Sequence, residues 1–206
     1  MNHAEKFNAF AAKCPIVSIL RGITLPEVAD VCDALYDSGI YMLEITLNTP
    51  GALEMIRTAV VHCGERQLVG AGTVLSAQEV RDVAAVGASL VISPNVDVEV
   101  IRETARQGLV SMPGFYTPSE AFQAIAAGAD YLKLFPAGAA GIGYVKDIKA
   151  VVKKPIFAVG GVTTDNISDF LDVCAGAGIG SALYKPGRSP DEIRRLAQIF
   201  ARAATR

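Results

Sequence analysis

Eight short apolar runs recur along the whole chain, and the segments between them carry apolar residues at helical spacing. Most runs are rich in Val, Ile or Leu, which is typical of strands buried on both faces of a sheet. The runs occupy residues 15–20, 41–47, 68–71, 90–93, 109–112, 131–135, 156–159 and 177–180. Eight alternations of strand and helix predict a parallel sheet, and eight is the number at which such a sheet closes into a barrel.

Helix boundaries are also marked in the sequence. Thr24, Ser76, Thr117 and Ser189 each precede a Glu by three residues, which is the pattern of a capping box. Glycines end several helical segments, at positions 39, 64, 87, 108 and 128. We therefore expect a single α/β domain over residues 1–206, with an N-terminal helix at 1–13 and a (β/α)8 TIM barrel at 15–206. An open doubly wound sheet has the same alternation and stays possible.

Composition and charge exclude several classes of function. The 19 basic and 21 acidic residues nearly cancel, so the chain lacks the basic footprint of a protein that binds nucleic acid or an anionic membrane. No stretch of roughly 18 apolar residues is free of Gly, Pro and charge, so no membrane span is expected. The first 13 residues lack the apolar core of a signal peptide, and a cytoplasmic location is expected.

Cysteine and histidine are too dispersed to suggest a metal site. The chain has four cysteines, without a C-x-x-C pair, and two histidines that lie outside any ligand cluster. Dispersed thiols in a chain of this size are usually small buried side chains. We therefore expect no metal.

Active sites of such barrels lie at the carboxyl ends of the strands, and Lys133 is the most informative residue there. Because side chains alternate along a strand, Lys133 points into the barrel if Leu132 and Leu134 face the helices. Burial lowers the pKa of a lysine, and a neutral amine forms a Schiff base with a carbonyl. The alternative is a structural lysine, paired with a carboxylate or extended to the rim.

Glu44 is a second charged residue within an apolar run. It is a candidate proton carrier for Lys133 during imine formation and carbon–carbon cleavage. Desolvation raises the pKa of a carboxyl group, whereas a neighbouring cation lowers it. The alternative is a static ion pair with Lys133 or Arg21.

Two glycine-containing loops follow the seventh and eighth strands, where barrels commonly hold phosphate. Gly160 and Gly161 form one loop, and Gly180 and Ser181 form the other. Backbone N–H groups there would bind the anion, and residues 181–184 would form a short helix whose N-terminus faces it.

Other residues at the strand ends are candidates for contacts with the rest of a substrate. Arg21 would hold a carboxylate bidentately, although a rim salt bridge is the alternative. Thr73 would hydrogen-bond the same carboxylate or a hydroxyl. Pro94 and Phe135 would form an apolar wall, which is also the composition of an ordinary core.

Seven short motifs occur in an order and spacing that resemble a known family. They are Ile19-Leu-Arg-Gly22, Glu44 with Asn48 four residues on, Gly70-Ala-Gly-Thr-Val74, Ser93-Pro-Asn95, Lys133-Leu-Phe-Pro136, Gly160-Gly-Val162 and Gly178-Ile-Gly-Ser181. Together they are similar to the class I aldolases for 2-keto-3-deoxy-6-phosphosugar acids, the KDPG/KDPGal aldolases. The resemblance implies a small phosphorylated keto-acid substrate, no metal or other cofactor, and a homotrimer.

The resemblance also implies roles for individual residues. Lys133 would form the Schiff base with the C2 ketone, Glu44 would be the general acid and base, and Arg21 and Thr73 would lie near the carboxylate. The phosphate would be held at Gly161, Gly180 and Ser181. Cleavage would give pyruvate and glyceraldehyde 3-phosphate.

Two positions distinguish branches of this family. The phosphogluconate branch typically carries Arg where this chain has Asn48, and Thr where it has Val159. Both residues look more like the phosphogalactonate branch, whose substrate differs in configuration at C4, and polar contacts near that hydroxyl select between epimers. The gluconate epimer, or both epimers, remain alternatives. More distant alternatives are a sugar-phosphate isomerase or epimerase that uses Glu44 as its base, and a non-catalytic phosphosugar-binding barrel.

Overall fold

The computed structural model describes residues 2–205; Met1 and Arg206, the ends of the predicted helix and barrel segments, lie outside the described residues. The strands are β1 (Ile16–Leu20), β2 (Met42–Thr46), β3 (Leu68–Gly72), β4 (Leu90–Ile92), β5 (Val110–Met112), β6 (Gly114–Phe115), β7 (Leu132–Leu134), β8 (Ile156–Val159) and β9 (Gly176–Ile179). The helices are α1 (His3–Lys13), α2 (Val28–Asp37), α3 (Ala52–Cys63), α4 (Ala77–Ala85), α5 (Val98–Arg106), α6 (Pro118–Ala127), α7 (Ala137–Val151), α8 (Ile167–Val173) and α9 (Pro190–Ala204).

The strands form one parallel sheet in the order β5-β4-β3-β2-β1-β9-β8-β7-β6. The end strands β5 and β6 are two parts of a single barrel strand, interrupted at Pro113, which has no N–H to donate. The carbonyl of Ser111 accepts from the N–H of Tyr131 at 3.0 Å, and the carbonyl of Pro113 accepts from the N–H of Lys133 at 2.9 Å. The sheet therefore closes at this strand, and the predicted TIM barrel is confirmed.

Alternation along the strands separates two layers of core. Residues such as Leu132 and Leu134 pack outward against the helices in one large apolar cluster. Inward-facing residues such as Met42, Tyr131 and Phe157 form a second cluster inside the barrel. Lys133 lies between the two leucines and points inward, as the alternation predicts.

The N-terminal helix α1 packs beneath the barrel at the amino ends of the strands. Asn2 caps it through a capping box with Glu5. Phe7 is fully buried, and its ring centroid lies 4.4 Å from that of Tyr131 and 5.7 Å from that of Phe157. Helix α1 therefore closes this end of the barrel with aromatic side chains.

The predicted helix caps form where the sequence marks them. Ser76 and Thr117 make complete capping boxes, whereas Ser189 accepts from the Glu192 N–H at 3.2 Å without the reciprocal contact. Glu27 accepts from the Thr24 N–H at 2.9 Å at the start of a 3-10 turn, Leu25–Glu27, that leads into α2. Across residues 2–205, no helix combines the length and the apolar character that a membrane crossing requires.

Candidate active site

A cavity of about 760 Å³ opens at the carboxyl ends of the strands. All of the predicted site residues except Asn48 line it. They are Arg21, Glu44, Thr73, Pro94, Lys133, Phe135, Val159, Gly160, Gly161, Gly180 and Ser181. The barrel thus brings together side chains from seven separate segments of the sequence.

Lys133 lies at the inner end of this cavity. Its relative exposure is 6%, so the side chain does not extend to the rim. Its Nζ atom lies 5.0 Å from the centroid of the Phe135 ring, which stands above it toward the mouth. Burial is the main cause that lowers the pKa of Lys133; the Glu44 charge opposes this shift, and the Arg21 charge adds to it. The surroundings of Lys133 therefore favour the neutral amine more than water does.

Glu44 faces the same space from β2 and is 1% exposed. Its Oε2 atom has no hydrogen-bond partner among the described residues. Glu44 and Lys133 do not form a salt bridge with each other. Burial raises the pKa of Glu44, while the charges of Lys133 and Arg21 lower it in part. A carboxyl group with a raised pKa, beside an amine with a lowered one, is suited to exchanging protons rather than to a fixed salt bridge.

A very small void lies directly below this pair. Its volume is about 10 Å³, and its other lining residues are apolar, Val17, Ile92 and Phe157 among them. A void of about one probe sphere holds a water only where several polar partners are available. The apolar packing below the pair is part of the burial that raises the pKa of Glu44 and lowers that of Lys133.

Arg21 and Thr73 stand at the mouth of the cavity. Arg21 is exposed and directly follows β1, with its guanidinium free of any ion pair to the described residues. Thr73 has φ of 56°, a left-handed conformation that is unfavourable for a β-branched residue. Strained backbone of this kind concentrates at functional sites, and the contact of Thr73 with a substrate stays a prediction.

The loop after β8 has a fixed backbone. Gly160 and Gly161 have φ of 84° and 78°, and the carbonyl of Gly160 accepts from the N–H of Gly138 at 2.7 Å. The Asn166 side chain donates to the carbonyl of Gly161 at 2.9 Å and accepts from the N–H of Thr163 at 2.8 Å. The loop therefore presents its backbone in one conformation, which is the requirement for binding an anion through N–H groups.

The predicted short helix at residues 181–184 does not form, so that prediction is wrong. The carbonyl of Gly180 accepts from the N–H groups of Leu183 and Tyr184, at 2.8 and 2.9 Å, and the chain then turns away. Arg188 donates to the carbonyl of Leu183 at 2.7 Å, which occupies an acceptor that a longer helix would use. The exposed Ser181 nevertheless lines the cavity at the start of this turn.

Asn48 lies elsewhere. It is exposed in the turn after β2 and lines a separate pocket of about 510 Å³, together with Glu54, Glu79 and Asp82. Its contact with a substrate in the main cavity therefore stays a prediction.

The cavity also contains residues that the sequence pattern did not indicate. Thr163 lines it from the loop after β8, and Tyr184 and Lys185 line it from the segment after β9. Lys185 is exposed and has no ion-pair partner within residues 2–205. The sequence signal that could have indicated Lys185 is its position shortly after Gly180, at the carboxyl end of β9.

No metal centre is evident in the part of the chain that the structure describes, because no group of three His, Cys, Asp or Glu residues converges there. Cys14, Cys32, Cys63 and Cys174 are buried free thiols, as the sequence predicts.

Comparison with known proteins relates this site to a family. Residues 8–197 match the family model described as KDPG and KHG aldolase. The chain is 43% identical over 194 residues to the 2-dehydro-3-deoxy-6-phosphogalactonate aldolase of Escherichia coli K12, covering 93% of this chain and 95% of that protein. It is 44% identical over 186 residues to a probable 2-dehydro-3-deoxy-6-phosphogalactonate aldolase of Rhizobium meliloti, covering 89% of this chain and 88% of that protein.

A solved structure agrees with these relatives. The structure described as native KDPGal superposes with a TM-score of 0.91 at 42% identity, covering 93% of this chain and 94% of the other.

Proposed function

The chain belongs to the KDPG and KHG aldolase family and is an aldolase, and from this premise we propose its substrate and mechanism. The substrate is 2-dehydro-3-deoxy-6-phosphogalactonate, which is cleaved to pyruvate and glyceraldehyde 3-phosphate. The supporting observation is a buried lysine with a lowered pKa, facing a buried carboxyl group with a raised pKa, at the inner end of an open cavity. The relatives at 43% and 44% identity, both named for this galactonate substrate, support the choice of epimer.

The reaction begins at Lys133. Its neutral Nζ attacks the C2 ketone, and loss of water from the carbinolamine gives a protonated imine. Glu44 supplies and removes the protons that this dehydration requires. Because burial lowers the pKa of Lys133, a larger fraction of this amine is neutral and able to attack the ketone than for an exposed lysine.

Cleavage breaks the C3–C4 bond. The Glu44 carboxylate accepts the proton of the C4 hydroxyl, the C4 oxygen becomes the aldehyde, and the C3–C4 electron pair moves through C2 to the iminium nitrogen to give an enamine. The Glu44 carboxylic acid then protonates C3, and water hydrolyses the pyruvate imine to free Lys133. One carboxyl group thus serves as base and then as acid.

The two ends of the substrate meet different chemistry. Arg21 and Thr73 hold the carboxylate by charge-assisted and hydroxyl hydrogen bonds. The phosphate lies against the backbone of Gly161, Gly180 and Ser181, with Pro94 and Phe135 as apolar walls. Val159 and Asn48 bias the choice of C4 epimer.

Covalent trapping tests the lysine. The protein is incubated with pyruvate and sodium borohydride, and the reduced adduct is mapped by mass spectrometry. We expect a single adduct on Lys133, and an unmodified Lys133 would contradict the mechanism. A lactate dehydrogenase assay for released pyruvate excludes an isomerase or epimerase, since neither releases pyruvate.

Comparative kinetics test the substrate. We expect a higher kcat/KM for the galactonate than for the gluconate keto acid; a preference for the gluconate epimer would overturn the assignment, whereas equal values would indicate an enzyme for both.

The family resemblance also supports a homotrimer, and exposed apolar side chains such as Tyr116 and Phe122, at 38% and 49% exposure, are candidates for an interface. Light scattering on the eluting protein should give a mass three times the 21.6 kDa of one chain. A monomer mass at working concentration would reject the trimer.

A further inference from the structure

On the face of β3 that points into the barrel, the two positions nearest the carboxyl end of the strand carry no side chain. Gly70 and Gly72 follow Leu68 on the side of the strand that faces the barrel interior. In neighbouring β2 the equivalent face carries Met42 and Glu44. A strand interior without side chains often marks a place where another group approaches closely.

At Gly72 the approaching group is the Glu44 carboxyl group. A Cβ atom built on Gly72 would lie 2.6 Å from Glu44 Cδ and 2.7 Å from each of its two oxygens. Gly72 does not have the positive φ that would itself require glycine. The reason for glycine at this position is therefore space, and the space is filled by a reactive group.

Gly70 provides a contrast on the same strand. A Cβ atom there would lie 2.8 Å from the carbonyl oxygen of Leu90 and 2.9 Å from its Cβ. Gly70 thus serves the packing of β3 against β4. Of these two glycines, Gly72 is the one that adjoins the site.

From this geometry we infer that Gly72 is a positioning residue, whose lack of a side chain fixes where the Glu44 carboxyl group stands relative to Lys133. The inference rests on the proposed function, because it concerns the proton transfers assigned to Glu44. The next residue, Thr73, turns the chain out of the strand with φ of 56°. The carboxyl group is consequently confined between the bare backbone of β3 and the cavity.

A methyl group added at position 72 would displace this carboxyl group. Contacts of 2.6–2.7 Å must lengthen by several tenths of an ångström, and the Glu44 side chain, at 1% exposure, can relax only toward the cavity. A displacement of about 1 Å at a reacting group costs on the order of 100-fold in rate. Binding of substrate through the mouth of the cavity would change little.

Two measurements separate Glu44 from Lys133. Exchange of the pyruvate methyl protons in D2O, followed by proton NMR, reports proton removal from the pyruvate imine. The end-point of borohydride trapping at saturating pyruvate reports imine formation on Lys133. We expect Gly72→Ala to slow the exchange on the order of 100-fold while the end-point adduct stays near the wild-type level.

The matched control is Gly143→Ala on α7, where an added Cβ has no neighbour within 4 Å. It should leave both measurements unchanged. Thermal unfolding of each variant shows whether the fold is retained.

A double-variant cycle with Glu44→Asp makes the inference specific. Aspartate is shorter by one methylene, so its carboxyl group retracts from the space that the methyl group of the Gly72→Ala variant would occupy. If Gly72 acts by positioning, the double variant loses less exchange rate than the product of the two single losses. A purely structural role for Gly72 predicts losses that multiply.

Unchanged exchange in a folded Gly72→Ala variant would overturn the inference, and so would multiplying losses in the cycle. A wild-type protein that neither exchanges nor traps pyruvate would instead refute the proposed function.

Discussion

The two ends of the barrel are built from the same strands but differ in almost every physical respect. Strand β7 and its flanking residues run from one end to the other: Tyr131 is 9% exposed at the end closed by α1, Lys133 is 6% exposed in the middle, and Phe135 is 39% exposed at the mouth. The closed end is filled by Phe7, Tyr131 and Phe157, whose rings touch one another. The open end leaves a cavity of about 760 Å³.

The difference shows how one fold separates chemistry from stability. The closed end excludes water from below, so burial dominates the pKa of Lys133 and of Glu44. The open end has room for the proposed substrate, and backbone and side-chain groups line that space. The reactive pair lies at the boundary between the two, and changes on either side of this boundary should have different consequences.

The largest effect is expected at the boundary itself. Lys133→Ala removes the amine that forms the imine, so cleavage should fall to the uncatalysed level while the protein remains folded. Pyruvate release and circular dichroism measure the two properties. Substantial cleavage by the folded variant would show that another group is the nucleophile.

Glu44→Gln keeps the size of the side chain but removes its proton-transfer capacity. We expect kcat to fall about 10²- to 10⁴-fold, the usual contribution of a general acid or base, with a smaller change in KM. Steady-state kinetics with both parameters provide the measurement. A change confined to KM would indicate that Glu44 only binds substrate.

A change at the closed end should affect stability first. Phe7→Ala removes a fully buried ring from the aromatic cluster, and such substitutions cost about 3–5 kcal/mol in the free energy of unfolding. Urea unfolding measures the loss, and KM in the remaining folded protein should stay close to the wild-type value. A large loss of substrate affinity without a loss of stability would break the distinction between the two ends.

The pKa of Lys133 predicts how stability depends on pH. Between the ordinary lysine pKa of 10.5 and the lowered pKa of folded Lys133, the unfolded chain binds a proton that the folded chain does not. The cost of burying this amine therefore grows as the pH falls through that window. Lys133→Met should raise Tm at neutral pH, and the gain should disappear above pH 10.5. The same substitution at exposed Lys185 is the control, and equal shifts in both variants would contradict the prediction.

The smallest effect is expected at the rim of the open end. Lys185 lines the cavity beside Gly180 and Ser181 and has no ion-pair partner within the described residues, so its charge is available to a phosphate. Because the side chain is exposed and screened, we expect Lys185→Gln to raise KM for glyceraldehyde 3-phosphate in the synthetic direction only about 2- to 5-fold. The KM for glyceraldehyde without phosphate should not change. Equal increases for both aldehydes would show that Lys185 does not act on the phosphate.

The sequence predicted the fold well because each unit of it is marked locally. Apolar runs, caps such as Ser76 and Thr117, and terminal glycines act within a few residues, and the barrel follows from repeating them. Lys133 and Glu44 were predicted for a similar reason, since a charge inside an apolar strand is conspicuous. The closed end was harder to predict, because the contact of Phe7 with Tyr131 spans most of the chain.

The features that the sequence left open depend on tertiary contacts. Lys185 is one surface lysine among many until the cavity is known, and residues 181–184 form a turn partly because Arg188 binds a carbonyl there. The contact of Gly72 with the Glu44 carboxyl group appears only when β2 and β3 are paired.

Helix α1 has a practical consequence for the design of variants with a shortened or altered N-terminus. It is attached through Phe7 and through the hydrogen bond that the Tyr131 hydroxyl donates to Asn8, and Tyr131 lies two residues before Lys133, the proposed nucleophile. Loss of the contacts of helix α1 would let water reach the Lys133 amine from the closed end of the barrel, and the amine would then be protonated. Such a truncated protein would still bind its ligand at the mouth, yet it would be slow, and the defect would be mistaken for damage to the catalytic groups.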